Sequence, residues 1–291
     1  MEAALALCRF AHFVAAMTLF GATAFVAALA PADLARALAP PTRAIAAAAI
    51  PLAAISALVW LALESASMAG DWTAVFDLGP IGAVLTDTEF GAVWMWRLVL
   101  AAALIVALAL GRGGPSFALV GGAALLVASL GLVDHAAVQA GALGALHRAN
   151  DALHLLATAA WLGGLPMFAL CLRAYRDPRL SAGAVTAMRR FSFWGQFDVA
   201  LVLVTGIVNI ALIAELGARA PTTPYRMLLA AKLVLIATMV ALALVNRTVL
   251  APRLASDGAA QRALMRSCVA EVVLAAAIVA LVSLFGLLDP N

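Results

Sequence analysis

Stretches of about 20 mainly apolar residues recur along the whole chain. That recurrence leaves few architectures open, because a helix of this length, rising 1.5 Å per residue, matches the hydrocarbon thickness of a bilayer. Eight such stretches are read: Leu5 to Ala30, Ala44 to Met68, Ala92 to Leu110, Phe117 to Val133, Ala152 to Leu172, Trp194 to Ala214, Met227 to Val249 and Met265 to Leu288. Pro, Gly and charge cluster between them, and the remaining connections leave no room for a soluble domain. Of the 291 residues 66% are apolar and 11% charged, against roughly half and a quarter in soluble domains. A soluble enzyme, a disordered chain and a nucleic-acid binder are therefore excluded. The expectation is a non-enzymatic, all-α polytopic protein, one eight-helix transmembrane domain over residues 1–291 in a compact bundle, with membrane lipid around it and no nucleic acid among its partners.

Charge sets the orientation. The connections after the first, third, fifth and seventh stretches hold Arg36, Arg43, Arg112, Arg173, Arg176, Arg179, Arg189, Arg190, Arg247, Arg253, Arg262 and Arg266, which is 12 of the 18 basic residues. The segment of about Ala69 to Gly91 carries Asp71, Asp77, Asp87 and Glu89 and no basic residue. By the positive-inside rule the arginine-rich side is cytoplasmic and both termini face outward, into the periplasm of a bacterial inner membrane. Ala28, Leu29 and Ala30 imitate a signal-peptide cleavage site. The lone charge near the start is Glu2 rather than a basic cluster, however, and the apolar run is longer than a signal segment needs, so residues 1–30 read as a span.

Ionisable groups inside spans are costly and normally face a cavity or one another, so their depth carries most of the functional signal. His12 sits about two turns below the outer end of the first span, Glu64 near the outer end of the second, Arg97 in the outer part of the third and Lys232 in the outer part of the seventh. His135 ends the fourth span, and His147, Asp151 and His154 occupy the approach to the fifth. All four histidines thus fall on the outer side, while the inner half holds Asp198, Glu271 and Asn246. Taken singly, a histidine at a helix end is an ordinary interface residue, and Arg97, Lys232 and Glu64 are long enough to reach the surface. Taken together, imidazoles suit copper, zinc, nickel or iron, so His12, His135, His147 and His154, with Asp151 and Glu64 as accessory ligands, read as a transition-metal site or as axial ligands of haem. His147 and His154, seven apart, would share one ion only if the chain turned before Asp151, with Asn150 or Asp151 as the cap.

Three widely spaced cysteines, Cys8, Cys171 and Cys268, form no disulfide framework and no Cys-x-x-Cys knuckle. Met167 with Cys171, and Met265 with Cys268, pair on helix faces at the inner ends of the fifth and eighth spans. Soft sulfur suits Cu(I), which makes these four a candidate exit, although Met and Cys are also ordinary packing residues.

The segment DALHLLATAAWLGGLPMF, Asp151 to Phe168, resembles the signature of the CopD copper-homeostasis (copper resistance) membrane proteins, through His154, Trp161, Gly163 and Gly164. RFAHFVAAMTLFG from Arg9, DWTAVF from Asp71, FGAVWMWRLVLA from Phe90, DHAAVQAGALGALHRAND from Asp134, RFSFWGQF from Arg190 and ALVNRTVLAPR from Ala243 resemble the same family, which covers essentially the whole chain. Asp134 stands where the family pattern has Gly. The resemblance implies an eight-helix inner-membrane protein for copper uptake or tolerance, Cu(I) or Cu(II), working with a periplasmic copper-binding protein of the CopC type. It matches the family's histidines to His12, His135, His147 and His154. It also implies a distant kinship with four-helix cytochrome b membrane proteins, which keeps haem b electron transfer as an alternative, beside that of a docking partner for a periplasmic copper carrier. The leading expectation is capture by His135 and His147, then holding by His12 and His154, in a cavity between spans one, four and five.

Overall fold

A computed structural model describes residues 1–111, 115–132, 141–216, 223–254, 258–285 and 287. Among them the regular structure is helical throughout. Seven helices are long and apolar enough to cross a membrane: α1 (Glu2–Leu29), α2 (Ala32–Ala69), α4 (Glu89–Leu110), α6 (Gly141–Ala174), α7 (Ser181–Leu216), α8 (Thr223–Val245) and α9 (Gly258–Phe285). A π-helical turn, Asn246–Leu250, prolongs α8. The fourth apolar stretch forms α5 (Phe117–Ala128) and a 3-10 turn (Ser129–Leu132), a shorter apolar helix than the other seven. Asp134 and His135 lie outside the described residues.

Two helices depart from the expected limits. α2 starts at Ala32 rather than Ala44 and runs through Pro40, Pro41 and Pro51. Its first turns carry Arg36 and Arg43, the latter donating to the Gly111 carbonyl at the end of α4. α6 starts at Gly141 rather than Ala152, so no turn precedes Asp151 and neither Asn150 nor Asp151 caps a helix. The acidic segment between α2 and α4 folds as a 3-10 turn (Trp72–Phe76) and α3 (Leu78–Asp87). There the Thr73 hydroxyl and amide bind the Asp71 carboxylate, at 2.6 and 3.0 Å, and hold its pKa below the ordinary value.

α1 is the central post, packed against α2, α5, α6 and α9. It approaches α6 at main-chain distance. A Cβ at Gly21 would collide with the backbone of Gly163, and one at Gly163 with the carbonyl of Met17, so the two helices meet main chain to main chain, as small residues allow in membranes. The outer faces of α7, α8 and α9 expose Trp194, Phe197, Ile207, Val234 and Val273, an apolar girdle suited to a lipid surround.

Candidate functional site

With Gly21 opposite Gly163 on parallel helices, His12 and His154 stand at the same height. Each is nine residues, about 14 Å, toward the end at which α1 begins, the outer end in the orientation predicted from the arginines. They face different surroundings.

His12 is sealed: its relative exposure is 0%. Its Nε2 accepts from Arg97 Nη2 on α4. Nδ1, which then carries the ring proton, donates to Ser56 Oγ on α2 at 2.9 Å, and that hydroxyl donates to the Leu52 carbonyl at 2.6 Å. Arg97 Nη1 also donates to Ser129 Oγ at 2.9 Å. The Arg97 guanidinium lies 4.8 Å from the Trp94 ring centre, and that of Arg9 lies 4.8 Å from Trp60. Trp94 donates to the Ala57 carbonyl at 2.8 Å and stacks on Phe90. A charge this deep is tolerated because it is hydrogen-bonded and lies over an aromatic face. Both ring nitrogens of His12 are spoken for.

His154 lines a cavity of about 240 Å³ enclosed by α1, α6, α7, α8, α9 and the turn after α5. Thr205 Oγ1 on α7 donates to the Leu201 carbonyl at 2.5 Å, so it accepts from His154 Nδ1 at 2.9 Å. That fixes the tautomer and leaves Nε2 as the lone-pair nitrogen, with no hydrogen-bond partner among the described residues. Gly206 faces the ring, where a Cβ would meet Cε1 at 3.5 Å in ordinary van der Waals contact. Asp151 Oδ1 accepts from Asn209 Nδ2 at 2.9 Å, and Asn150 Nδ2 donates to Asn209 Oδ1 at 2.6 Å. His147, 2% exposed, Asp151, Tyr225 and Lys232 complete the polar lining, and Phe13, Met17, Leu130 and Trp161 are among the apolar walls. Spans one, four and five do contribute, but so do α7, α8 and α9.

Since α6 is unbroken, His147 and His154 are separated by two turns, about 10 Å along the axis. Among the described residues no three His, Cys, Asp or Glu side chains form a group able to hold a metal ion. His147, Asp151 and His154 make a ladder down one wall; His12 is not part of the lining. Glu64 is half-buried on α2, one turn beyond Trp60 and also outside the lining. At the other end of the bundle Met167, Cys171 and Cys268 are fully buried, and Met265 packs on the same cluster as Met167 and Cys171. α6 and α9 touch there, Gln261 Nε2 donating to the Leu172 carbonyl at 2.8 Å, so the two sulfur pairs do adjoin one seam.

Ser56, Ser129, Thr205 and Asn209, which position the histidines, Arg97 and Asp151, were not singled out by sequence. The one available signal was an amide inside an apolar run, as at Asn209.

Comparison with known proteins is consistent along the chain. Residues 1–145 match the family model of the copper resistance protein D-like N-terminal domain, and residues 185–285 that of copper resistance protein D. The chain is similar to inner membrane protein YebZ of Escherichia coli, 38% identical over 252 residues, covering 86% of this chain and 85% of that one. It is also similar to copper resistance protein D of Pseudomonas syringae, 29% identical over 97% of this chain and 96% of the relative. A third relative, copper transport protein CutJ of Bacillus subtilis, is 29% identical over half of this chain and 28% of its own length. No solved structure matches.

Proposed function

This chain belongs to the copper resistance protein D family of inner-membrane, copper-related proteins, and from that premise we propose that it captures periplasmic copper in the α6–α7–α8 cavity and passes it inward. The observation that carries this reading is that His154 lines the cavity with Nε2 left as its lone-pair nitrogen. It is held in its tautomer by Thr205 and stands one turn below Asp151 and two below His147. An orienting hydrogen bond on the second ring nitrogen is the usual support of a metal-ligating imidazole. His147 meets the ion first, Asp151 supplies charge, and His154 holds it. From the sequence alone, His135 is assigned to capture alongside His147.

Copper is cargo in this reading, and the protein is not an enzyme. A periplasmic CopC-like carrier delivers the ion. One elementary charge moving across 100 mV gains about 2.3 kcal/mol, enough to bias Cu(I) inward roughly fiftyfold. The exit is the sulfur-lined α6–α9 seam of Met167, Cys171, Met265 and Cys268. Haem gains no support from the geometry, because His12 is bonded at both nitrogens and shares no cavity with His154.

The test is Cu(I) and Cu(II) binding by detergent-purified protein with His154→Ala beside it, together with an absorption spectrum. Binding lost in the variant supports the reading; undiminished binding, or a Soret band, overturns it. Cysteines at Ser181 and Thr73 check the orientation, the first expected to label only from the cytoplasm and the second only from the periplasm.

A further inference from the structure

A second cavity, of about 310 Å³, opens between the end of α6 and the start of α9. Its lining is Leu172, Arg173, Arg176, Gln261, Arg262, Met265 and Arg266: four guanidinium groups, one amide and two apolar side chains, with no acid among them. The arginines are exposed, and none of the four is ion-paired among the described residues. Asp177, the acid nearest in sequence, is turned to the α6–α7 connection, where Oδ1 accepts from the Arg179 amide at 2.9 Å. Gln261 ties the walls together: it donates to the Leu172 carbonyl at 2.8 Å and accepts from Arg176 Nε at 3.4 Å. Its amide thus fixes one guanidinium at the rim of the cavity.

The positive-inside rule by itself explains arginines on this side, but it scatters them over loops for water to solvate. Here four converge on one concavity between two helices, at the level where the apolar part of each helix begins with Leu172 and Met265. Like charges so gathered repel one another unless an anion sits between them, and guanidinium forks match phosphate oxygens in pairs. Basic pockets between membrane helices on the cytoplasmic side suit anionic headgroups, and the apolar floor suits what a headgroup is attached to. We propose that this cavity binds a phosphate-bearing anion, with the phosphodiester headgroup of an anionic phospholipid as its source. The bound anion would clamp the α6–α9 seam from its polar end.

The experiment is thermal unfolding of the full chain in detergent, titrated separately with cardiolipin, phosphatidylglycerol, phosphatidylcholine and inorganic phosphate. The proposal expects the two anionic lipids to raise the midpoint and phosphatidylcholine to leave it unchanged. Arg262→Ala/Arg266→Ala should weaken the anionic-lipid effect roughly tenfold in concentration. Arg189→Ala, which removes an exposed arginine of the same side from outside the lining, should leave it intact. A rise with inorganic phosphate equal to that with lipid would keep the anion site and replace its source by free phosphate. Equal loss in Arg189→Ala and in the double variant would show diffuse surface charge and overturn the site, as would equal stabilisation by phosphatidylcholine.

Discussion

His12 and His154 occupy equivalent heights on two helices that touch, yet one is a closed knot and the other an open edge. Around His12 every polar atom of the ring is answered by a side chain from another helix: Arg97 from α4 and Ser56 from α2. Around His154, a residue of the cavity lining, one nitrogen is answered by Thr205 and the other has no hydrogen-bond partner among the described residues. Residue type and height are the same in the two places, but His12 is fully buried and His154 only partly so. What separates the two imidazoles is the second nitrogen, and that depends on whether a neighbouring helix offers an arginine or leaves it without a partner among the described residues.

The comparison breaks most readily at His12. His12→Ala leaves the Arg97 guanidinium and the Ser56 hydroxyl short of a partner in a dry interior, a loss of about 3 kcal/mol, to be read as a lowered unfolding midpoint in detergent. Copper binding per folded molecule should stay unchanged; a loss of copper without a loss of stability would make His12 a ligand and erase the distinction. His154→Ala should do the opposite, weakening copper binding about a hundredfold with a midpoint close to that of the parent protein. Thr205→Val keeps the imidazole but frees its tautomer, and about a tenfold weakening is expected in the same binding titration. The smallest effect is expected from Cys171→Ala/Cys268→Ala: cellular copper accumulation slows, while copper binding at the outer cavity remains intact. Unchanged accumulation would leave Cys171 and Cys268 as packing residues only.

The spans were legible because the bilayer imposes length and apolarity on anything that crosses it, and the eight apolar stretches map onto seven long helices and the shorter α5. Their ends were not. α2 and α6 extend well past their apolar parts, since Ala-rich segments such as residues 32–43 and 141–151 stay helical without any need to be hydrophobic. Pro40 and Pro41 did not stop α2. In the site, His12, Asp151 and His154 could be read as polar residues in apolar surroundings, but their partners could not. Thr23, Thr42, Ser65 and Ser283 each bond the carbonyl four residues back in their own helix, and so do Ser56 and Thr205. Only the packing of helices far apart in sequence gives the last two an imidazole as well. Whether His12 met an arginine or a cavity was a matter of which helix stood beside it.

The contact between Gly21 and Gly163 bears on how such a chain can change over generations. Substitutions that shrink one residue usually permit a neighbour to grow, so packing partners can drift together through viable intermediates. Here neither position has anything to give up, because each already carries the smallest side chain and each would strike main chain rather than a movable group. No first step on one helix can be made good by a second on the other. The pair therefore behaves as one inherited unit, and the matched heights of the two histidines are inherited with it.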